Sequence, residues 1–160
     1  MTSSSRESVQ ASLFPFTVEV AVRGYEIDAY GHTKNSVYMN WLEHALWEIG
    51  RMPEFAKPFE GIQTVARNLK LEFVTETKLG DRLAITLWPR AAGNTSFTTG
   101  AEIRIIESDD AARRGAVAMK ASIVQVCVRR GVGKVPFPEA ARRHIPANDP
   151  GEVPPLRHSR

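Results

Sequence analysis

Apolar and polar residues alternate near the start of the chain. Phe16, Val18, Val20 and Val22 are interleaved with Thr17, Glu19, Ala21 and Arg23. A period of two predicts a half-buried strand, from about Phe14 to Arg23. The period changes after Asn35. Tyr38, Trp41, Leu42, Ala45 and Ile49 fall on one stripe of a helix from about Ser36 to Gly50. Gly50 is a natural stop, and Pro53 lies just beyond it. The next stretch, to Gly61, also holds Pro58, which predicts an irregular connection with Phe55 and Phe59 tucked inward.

Everything after that reads as strands. Leu69, Leu71 and Phe73 alternate with Lys70 and Glu72, and Gly80-Asp81 marks a turn. Leu83, Ile85 and Leu87 alternate again up to a second turn at Gly93-Asn94. Phe97, Thr99, Ala101, Ile103 and Ile105 continue the pattern as far as a polar hairpin end from Ser108 to Gly115. The stretch from Val117 to Val128 is a long strand whose last residues are apolar on both faces, as a central strand should be. One strand, one helix and then four strands is an α+β order. An apolar helix stripe of this width needs something large to cover it. A curved antiparallel sheet of about five strands wrapped around the helix does so. The expected organisation is a flexible N-terminus over 1–13, one domain over 14–145 and a proline-rich tail over 146–160, disordered or draped on the surface.

Composition narrows the class. A chain of 160 residues, 42% of them apolar, is long enough for one domain with a full core. The single cysteine, Cys127, excludes an internal disulfide framework, and its place inside a strand points to packing. The first residues lack the apolar core of a signal peptide, and no apolar run is long enough to cross a bilayer. A cytoplasmic protein without a membrane partner is expected. The formal charge of +3 arises in local clusters, Arg113-Arg114, Arg129-Arg130 with Lys134, and Arg142-Arg143. Each is either a solvated surface or a docking surface for phosphate. No stacking-aromatic or helix-turn-helix pattern accompanies them, so nucleic acid is not the expected partner.

Reactive groups concentrate where strand gives way to helix. Asp28, Gly31, His32 and Asn35 lie within eight residues of one another. Asn35 or Ser36 suits an N-cap. The first turn of a helix leaves N–H groups without intrahelical partners, and these carry partial positive charge. Such a helix start is a candidate oxyanion hole for a carbonyl under attack. Asp28, a short loop away, can act as nucleophile or general base. Glu26, two residues earlier, points to the other face if the chain is extended and reads as structural or as an ion-pair partner.

This junction resembles a known family. Asp28, Gly31, Asn35 and Tyr38 are similar to the active-site region of hydroxybenzoyl-CoA-type hot-dog thioesterases. Arg23-Gly24-Tyr25-Glu26-Ile27-Asp28 resembles the plant methylketone-forming and acyl-carrier-protein thioesterases of the same superfamily. The run Lys134-Val135-Pro136-Phe137-Pro138 resembles the segment that closes the family's last strand. The resemblance implies a hot-dog fold and hydrolysis of a thioester whose acyl group (fatty, polyketide-type or aromatic) is carried by coenzyme A or an acyl carrier protein. By it Asp28 is the catalytic carboxylate, and the backbone N–H of Asn35 is the oxyanion donor. His32 matches a histidine that the plant enzymes place four residues after their aspartate, in a supporting role. Those enzymes have asparagine two residues after the aspartate, where this chain has Tyr30. Tyr30, Gly31, Tyr38, Trp41 and Phe73 are the expected substrate contacts, with Tyr38 and Trp41 also serving the core. Arg129 and Arg130 are the expected partners of the phosphate or of a carrier protein's acidic surface. No metal or redox cofactor is required; coenzyme A or phosphopantetheine enters only as part of the substrate. A homodimer or homotetramer is implied.

Rivals remain at this stage. A second hot-dog lineage uses an acidic residue along the helix, and Glu43 fits that description. It lies about 12 Å along the axis from Asn35, on the flank away from Tyr38 and Leu42, so it meets a helix start only in a neighbouring subunit. A dehydratase or hydratase on the same scaffold, or a non-catalytic acyl-thioester-binding protein, is the alternative to a hydrolase. No Gly-x-Ser-x-Gly elbow, phosphate loop or dinucleotide fingerprint is present. His32, His44, His144 and His158 are too dispersed to suggest a metal site.

Overall fold

The computed structural model describes residues 13–152. The expectations for residues 1–12 and 153–160 lie outside the described residues. The order is β1 (Phe16–Ala21), α1 (Asn35–Gly50), α2 (Pro53–Ala56), β2 (Gln63–Phe73), β3 (Arg82–Ala92), β4 (Ser96–Glu107), β5 (Val117–Arg129) and β6 (Gly133–Lys134). Short 3-10 turns lie at Gly24–Glu26, Lys57–Phe59, Ala111–Arg113 and Glu139–His144.

The strands form one antiparallel sheet in the order β1-β3-β4-β5-β2, and the two-residue β6 pairs with the end of β5. The register follows the alternation in the sequence. Val18 pairs with Ile85, Ile85 with Ile103, and Ile103 with Met119. The inward residues of β3 and β4 meet the stripe of α1, so Leu42, Leu83, Ile85, Leu87, Ile103 and Met119 form the core with Trp41 and Ala45. This is the expected hot-dog arrangement, a curved sheet around one helix.

Three local differences have physical causes. β1 is shorter than the alternation suggests, because the chain leaves the sheet at Val22, whose N–H bonds the carbonyl of Asp81. β2 begins earlier than its alternation shows. It is an edge strand, and almost all of its side chains are exposed, so no buried face imposes a pattern on Gln63–Asn68. The connection after α1 contains the short α2, with Phe55 stacked on Phe59 at 5.0 Å. These rings join Phe97, Cys127, Val135 and Phe137 in a second cluster beyond the end of α1. The described start of the tail lies against β3, where Arg90 donates two hydrogen bonds of 2.8 Å to the carboxylate of Asp149.

Candidate functional site

The loop between β1 and α1 is built as a small hairpin. Ile27 and Thr33 form an antiparallel bridge. Inside it the Asp28 N–H donates to the His32 carbonyl at 2.8 Å, and Gly31 donates to the Asp28 carbonyl at 3.1 Å. Gly31 adopts φ 79°, a left-handed conformation that favours glycine. The Asp28 carboxylate closes the turn. Its Oδ1 accepts the N–H groups of Tyr30 (2.9 Å) and His32 (3.1 Å). Asp side chains commonly fold a turn in this way. Oδ2 has no bond among the described residues, and Asp28 itself is half-buried.

Two tethers hold this loop to the rest of the fold. Glu26, 5% exposed, accepts Trp41 Nε1–H at 3.1 Å and the Arg23 N–H at 2.7 Å. Arg23 Nη1 lies 3.9 Å from the same carboxylate. Glu26 is therefore the structural, ion-paired residue expected of it. On the other side Thr33, Tyr38 and Thr77 form a buried hydroxyl network. Thr33 Oγ1 lies 3.0 Å from the Thr77 carbonyl and 2.6 Å from Thr77 Oγ1, and Tyr38 Oη lies 3.0 Å from Thr77 Oγ1. The Thr77 N–H donates to Tyr38 Oη at 3.1 Å. Proton counting fixes the directions. A carbonyl only accepts, so Thr33 gives its proton to the Thr77 carbonyl. Thr77 must then donate to Thr33, and Tyr38 to Thr77. Tyr38 uses its one proton inside the protein, so towards the site it presents an acceptor or its ring.

The helix start differs from the N-cap expectation. Lys34 holds the N-cap position, and its side chain makes no capping bond; Asn35 is the first helical residue. Lys34 is fixed through its backbone instead, donating to the Glu26 carbonyl at 3.0 Å and accepting from Val37 at 2.9 Å. Neither Asn35 nor Ser36 caps the helix. Their N–H groups belong to the first turn, which finds no intrahelical acceptor. No acidic residue lies in that turn to neutralise the positive end of the helix.

A cleft of about 190 Å³ opens beside this helix start, lined by His32, Thr33, Asn35, Tyr38, Phe73, Val74, Thr75 and Glu76. Across it His32 Nε2 lies 3.0 Å from Glu76 Oε2. Glu76 also meets Lys78 Nζ at 3.1 Å. The hydrogen bond from Lys78 holds the Glu76 carboxyl below the usual carboxylate range; desolvation opposes it, and the charges of His32, Lys78 and Arg113 add to the lowering.

The cleft brings together four of the expected residues: His32, Asn35, Tyr38 and Phe73. Phe73 packs its ring edge-on against Tyr38 at 5.2 Å. The other residues lie elsewhere. Asp28 does not line the cleft but bonds the backbone of His32, which does. Tyr30 is 86% exposed on the hairpin tip beside Gly31. Trp41 is buried and bound to Glu26, so it serves the core rather than a pocket wall. Glu43 is exposed on the outer flank of α1. Arg129 ends β5 and Arg130 follows it, beside the Gln63 end of β2, whereas the cleft lies beyond Phe73, at the other end of β2. Ten residues of strand, roughly 33 Å, separate the two ends. Within one chain Arg129 and Arg130 therefore stand away from the cleft. Cys127 is buried, and burial pushes its thiol up, away from nucleophilic use.

Sequence reading missed Glu76 and Thr77. They lie between the end of β2 and a Gly-Asp turn, so they read as a polar connection. Only the closure of that connection onto the hairpin of Asp28 brings Glu76 to His32. Among the described residues no three His, Cys, Asp or Glu side chains gather to hold a metal ion, and no helix is long and apolar enough to cross a membrane.

Comparison with known structures agrees with this architecture. The thioesterase superfamily protein of Jannaschia sp. CCS1 is 26% identical, over 79% of this chain and 78% of that one, with a TM-score of 0.64. The probable thioesterase YbaW of Escherichia coli is 24% identical, over 80% of this chain and 94% of that one, with a TM-score of 0.68. A thioesterase of Thermus thermophilus, solved with coenzyme A and Zn, is 24% identical, over 82% and 92%, with a TM-score of 0.67. Curated protein sequences give no match. Residues 30–112, which run from the Asp28 hairpin through α1 to the β4–β5 connection, match the family described as Thioesterase superfamily, and the chain belongs to that superfamily.

Proposed function

We propose that this thioesterase-superfamily chain hydrolyses acyl thioesters in the cleft between the start of α1 and the end of β2. The observation that carries the reading is the His32–Glu76 pair, 3.0 Å apart and lining the same cleft as Asn35. If Nε2–H donates to Glu76, the Nδ1 lone pair is left free. That nitrogen takes a proton from water as the water oxygen attacks the acyl carbon. Glu76 steadies the imidazolium that forms. The carbonyl oxygen gains charge beside the N–H of Asn35 and the positive end of the helix. When the tetrahedral intermediate collapses, the carbon–sulfur bond breaks, and the thiolate takes the proton from Nδ1. A carboxylic acid and a free thiol leave.

Asp28 supports a second reading. Its Oδ2 is unbonded among the described residues and is available to attack the acyl carbon or to draw a proton from water. Release of free thiol, followed with a panel of acyl-coenzyme A and acyl-carrier substrates, decides between the two. Loss of turnover in His32→Gln and Glu76→Gln supports the imidazole route. Loss in Asp28→Asn with both of those variants active makes Asp28 the working carboxylate. Saturable acyl-coenzyme A binding without turnover makes the chain a binding protein.

The working unit is proposed to be a homodimer joined through β2. An eleven-residue edge strand with exposed Val65 and Phe73, followed by exposed Val74, is open to pairing with another chain. Two copies of one strand paired about a two-fold axis run antiparallel. The Gln63 end of one β2 then lies near the Phe73 end of the other. Arg129 and Arg130 of one copy so approach the cleft of its partner, where they meet the phosphates of coenzyme A or of a phosphopantetheine arm. A single buried cysteine agrees with work in the reducing cytoplasm.

A further inference from the structure

Arg113 belongs to the 3-10 turn between β4 and β5, remote in sequence from the hairpin of Asp28. Its guanidinium reaches across to the connection that carries Glu76. Nη1 and Nη2 lie 3.2 and 2.9 Å from the two carboxylate oxygens of Asp81. Nη2 also donates to the backbone carbonyl of Glu76 at 2.5 Å. Asp81 is almost wholly buried, 1% exposed, and its Oδ2 accepts the Lys78 N–H at 2.8 Å. The carbonyl of Glu76 and the carboxylate of Asp81 are thus gathered around one planar cation, and Asp81 also holds the amide of Lys78. The next residue, Thr77, is pinned from the opposite side by Tyr38 and Thr33. The backbone that follows Glu76 is thus held from two sides, which keeps its side chain within reach of His32.

We infer that Arg113 is a positioning residue, whose fork between Asp81 and the Glu76 carbonyl aims the Glu76 carboxylate at His32. The fork is what matters. A lysine ammonium is a point charge and cannot span two carboxylate oxygens and a carbonyl in one plane. The inference rests on the proposed use of the His32–Glu76 pair for its effect on turnover, but its geometric content stands apart from that use.

The test uses the full chain and two readouts. Long-range ¹⁵N–¹H correlations of the imidazoles report the hydrogen bonding of His32, assigned by its loss in His32→Gln. Thiol release from an acyl-coenzyme A substrate reports kcat and KM. In Arg113→Ala the His32 signals should move to the positions they take in Glu76→Gln. The kcat should fall on the order of 10²-fold, the loss expected for a misplacement of about 1 Å, with KM little changed. Added methylguanidinium should restore part of it. The double variant Arg113→Ala/Glu76→Gln should be no slower than Glu76→Gln alone, because the two act as one unit. If Arg113→Ala does not melt cooperatively, Arg113→Lys carries the same measurement with the charge retained. Unchanged His32 signals in a cooperatively folded Arg113 variant would overturn the inference, as would losses that multiply in the double variant. Wild-type turnover in Glu76→Gln would instead overturn the proposed chemistry, and the imidazole signals would still decide the role of Arg113.

Discussion

His32 Nε2 and Glu76 Oε2 stand 3.0 Å apart, although one belongs to the hairpin before α1 and the other to the connection after β2. Neither element dictates this meeting alone. It follows from Thr77, which ties its connection to Thr33 in the hairpin and to Tyr38 in the helix. If the pair serves as general base, Glu76→Gln leaves the imidazolium uncompensated, and His32→Gln removes the base. Both should lower kcat by roughly 10²- to 10⁴-fold, with smaller effects on KM, as steady-state thiol release will show.

The charge on Glu76 at low pH depends on Lys78. Its hydrogen bond is the largest influence holding the Glu76 carboxyl below its ordinary value. A lowered value means that the charged form persists to lower pH. Any stability it lends is present above the unfolded value and is lost as pH falls through the folded one. The side chain is open to solvent, so the effect belongs to activity more than to folding. Lys78→Ala should raise the pH at which the Glu76 carboxyl takes up its proton, read from its carbon-13 shift in a pH titration. A profile that coincides with wild type would remove Lys78 from the site.

The junction of strand and helix was legible because both periods are strong and both faces buried. Val18 and Val20 lie over the same core as Leu42 and Ala45. The start of β2 was not legible, since a free edge asks nothing of Gln63 or Thr64. At the site, Asn35 and His32 stand out through their place before a helix. Glu76 does not, because its neighbours Thr75 and Thr77 carry no periodic signal and its partner arrives by loop closure. Residue preference points to Asn35 or Ser36 as the N-cap, but a backbone bond between Lys34 and Glu26 decides it otherwise.

Trp41 tests the division between core and site. Its indole N–H donates to Glu26, which is buried beneath the hairpin. Trp41→Phe keeps most of the ring but leaves a buried carboxylate oxygen without its donor. Such a loss costs about 1–3 kcal/mol. Chemical denaturation should show this destabilisation. KM for short acyl substrates should stay near wild type, because the indole does not line the cleft.

Gly100 marks a close approach on the opposite face of the sheet from α1. A Cβ added there would lie 2.6 Å from Cζ2 and Nε1 of Trp88, and closer still to Cε2. Trp88 is 3% exposed, so its indole cannot withdraw without moving its neighbours. Gly100→Ala should destabilise the fold by about 1–3 kcal/mol, as overpacking of a well-filled site does. A melting temperature equal to wild type would show that the indole can swing away.

Pairing of two β2 edges makes a prediction that a single chain cannot satisfy. Under that geometry each cleft takes its basic hairpin, Arg129 and Arg130, from the other copy. One variant carries Glu76→Gln, and a second carries Arg129→Ala/Arg130→Ala; each alone forms two defective sites per dimer. When the two are mixed, unfolded and refolded together, half of the sites in each mixed dimer combine an intact cleft with an intact hairpin. Those sites should regain wild-type kcat and KM, and the other half should lose both functions. If the hairpin served its own chain's cleft, no mixed dimer would hold a wild-type site, and mixing would restore nothing. Light scattering gives the companion measurement. Val65→Asp, which places a charge on each exposed edge, should shift the protein towards monomer and lower turnover in the same proportion, because each cleft then loses the cations supplied from across the two-fold axis.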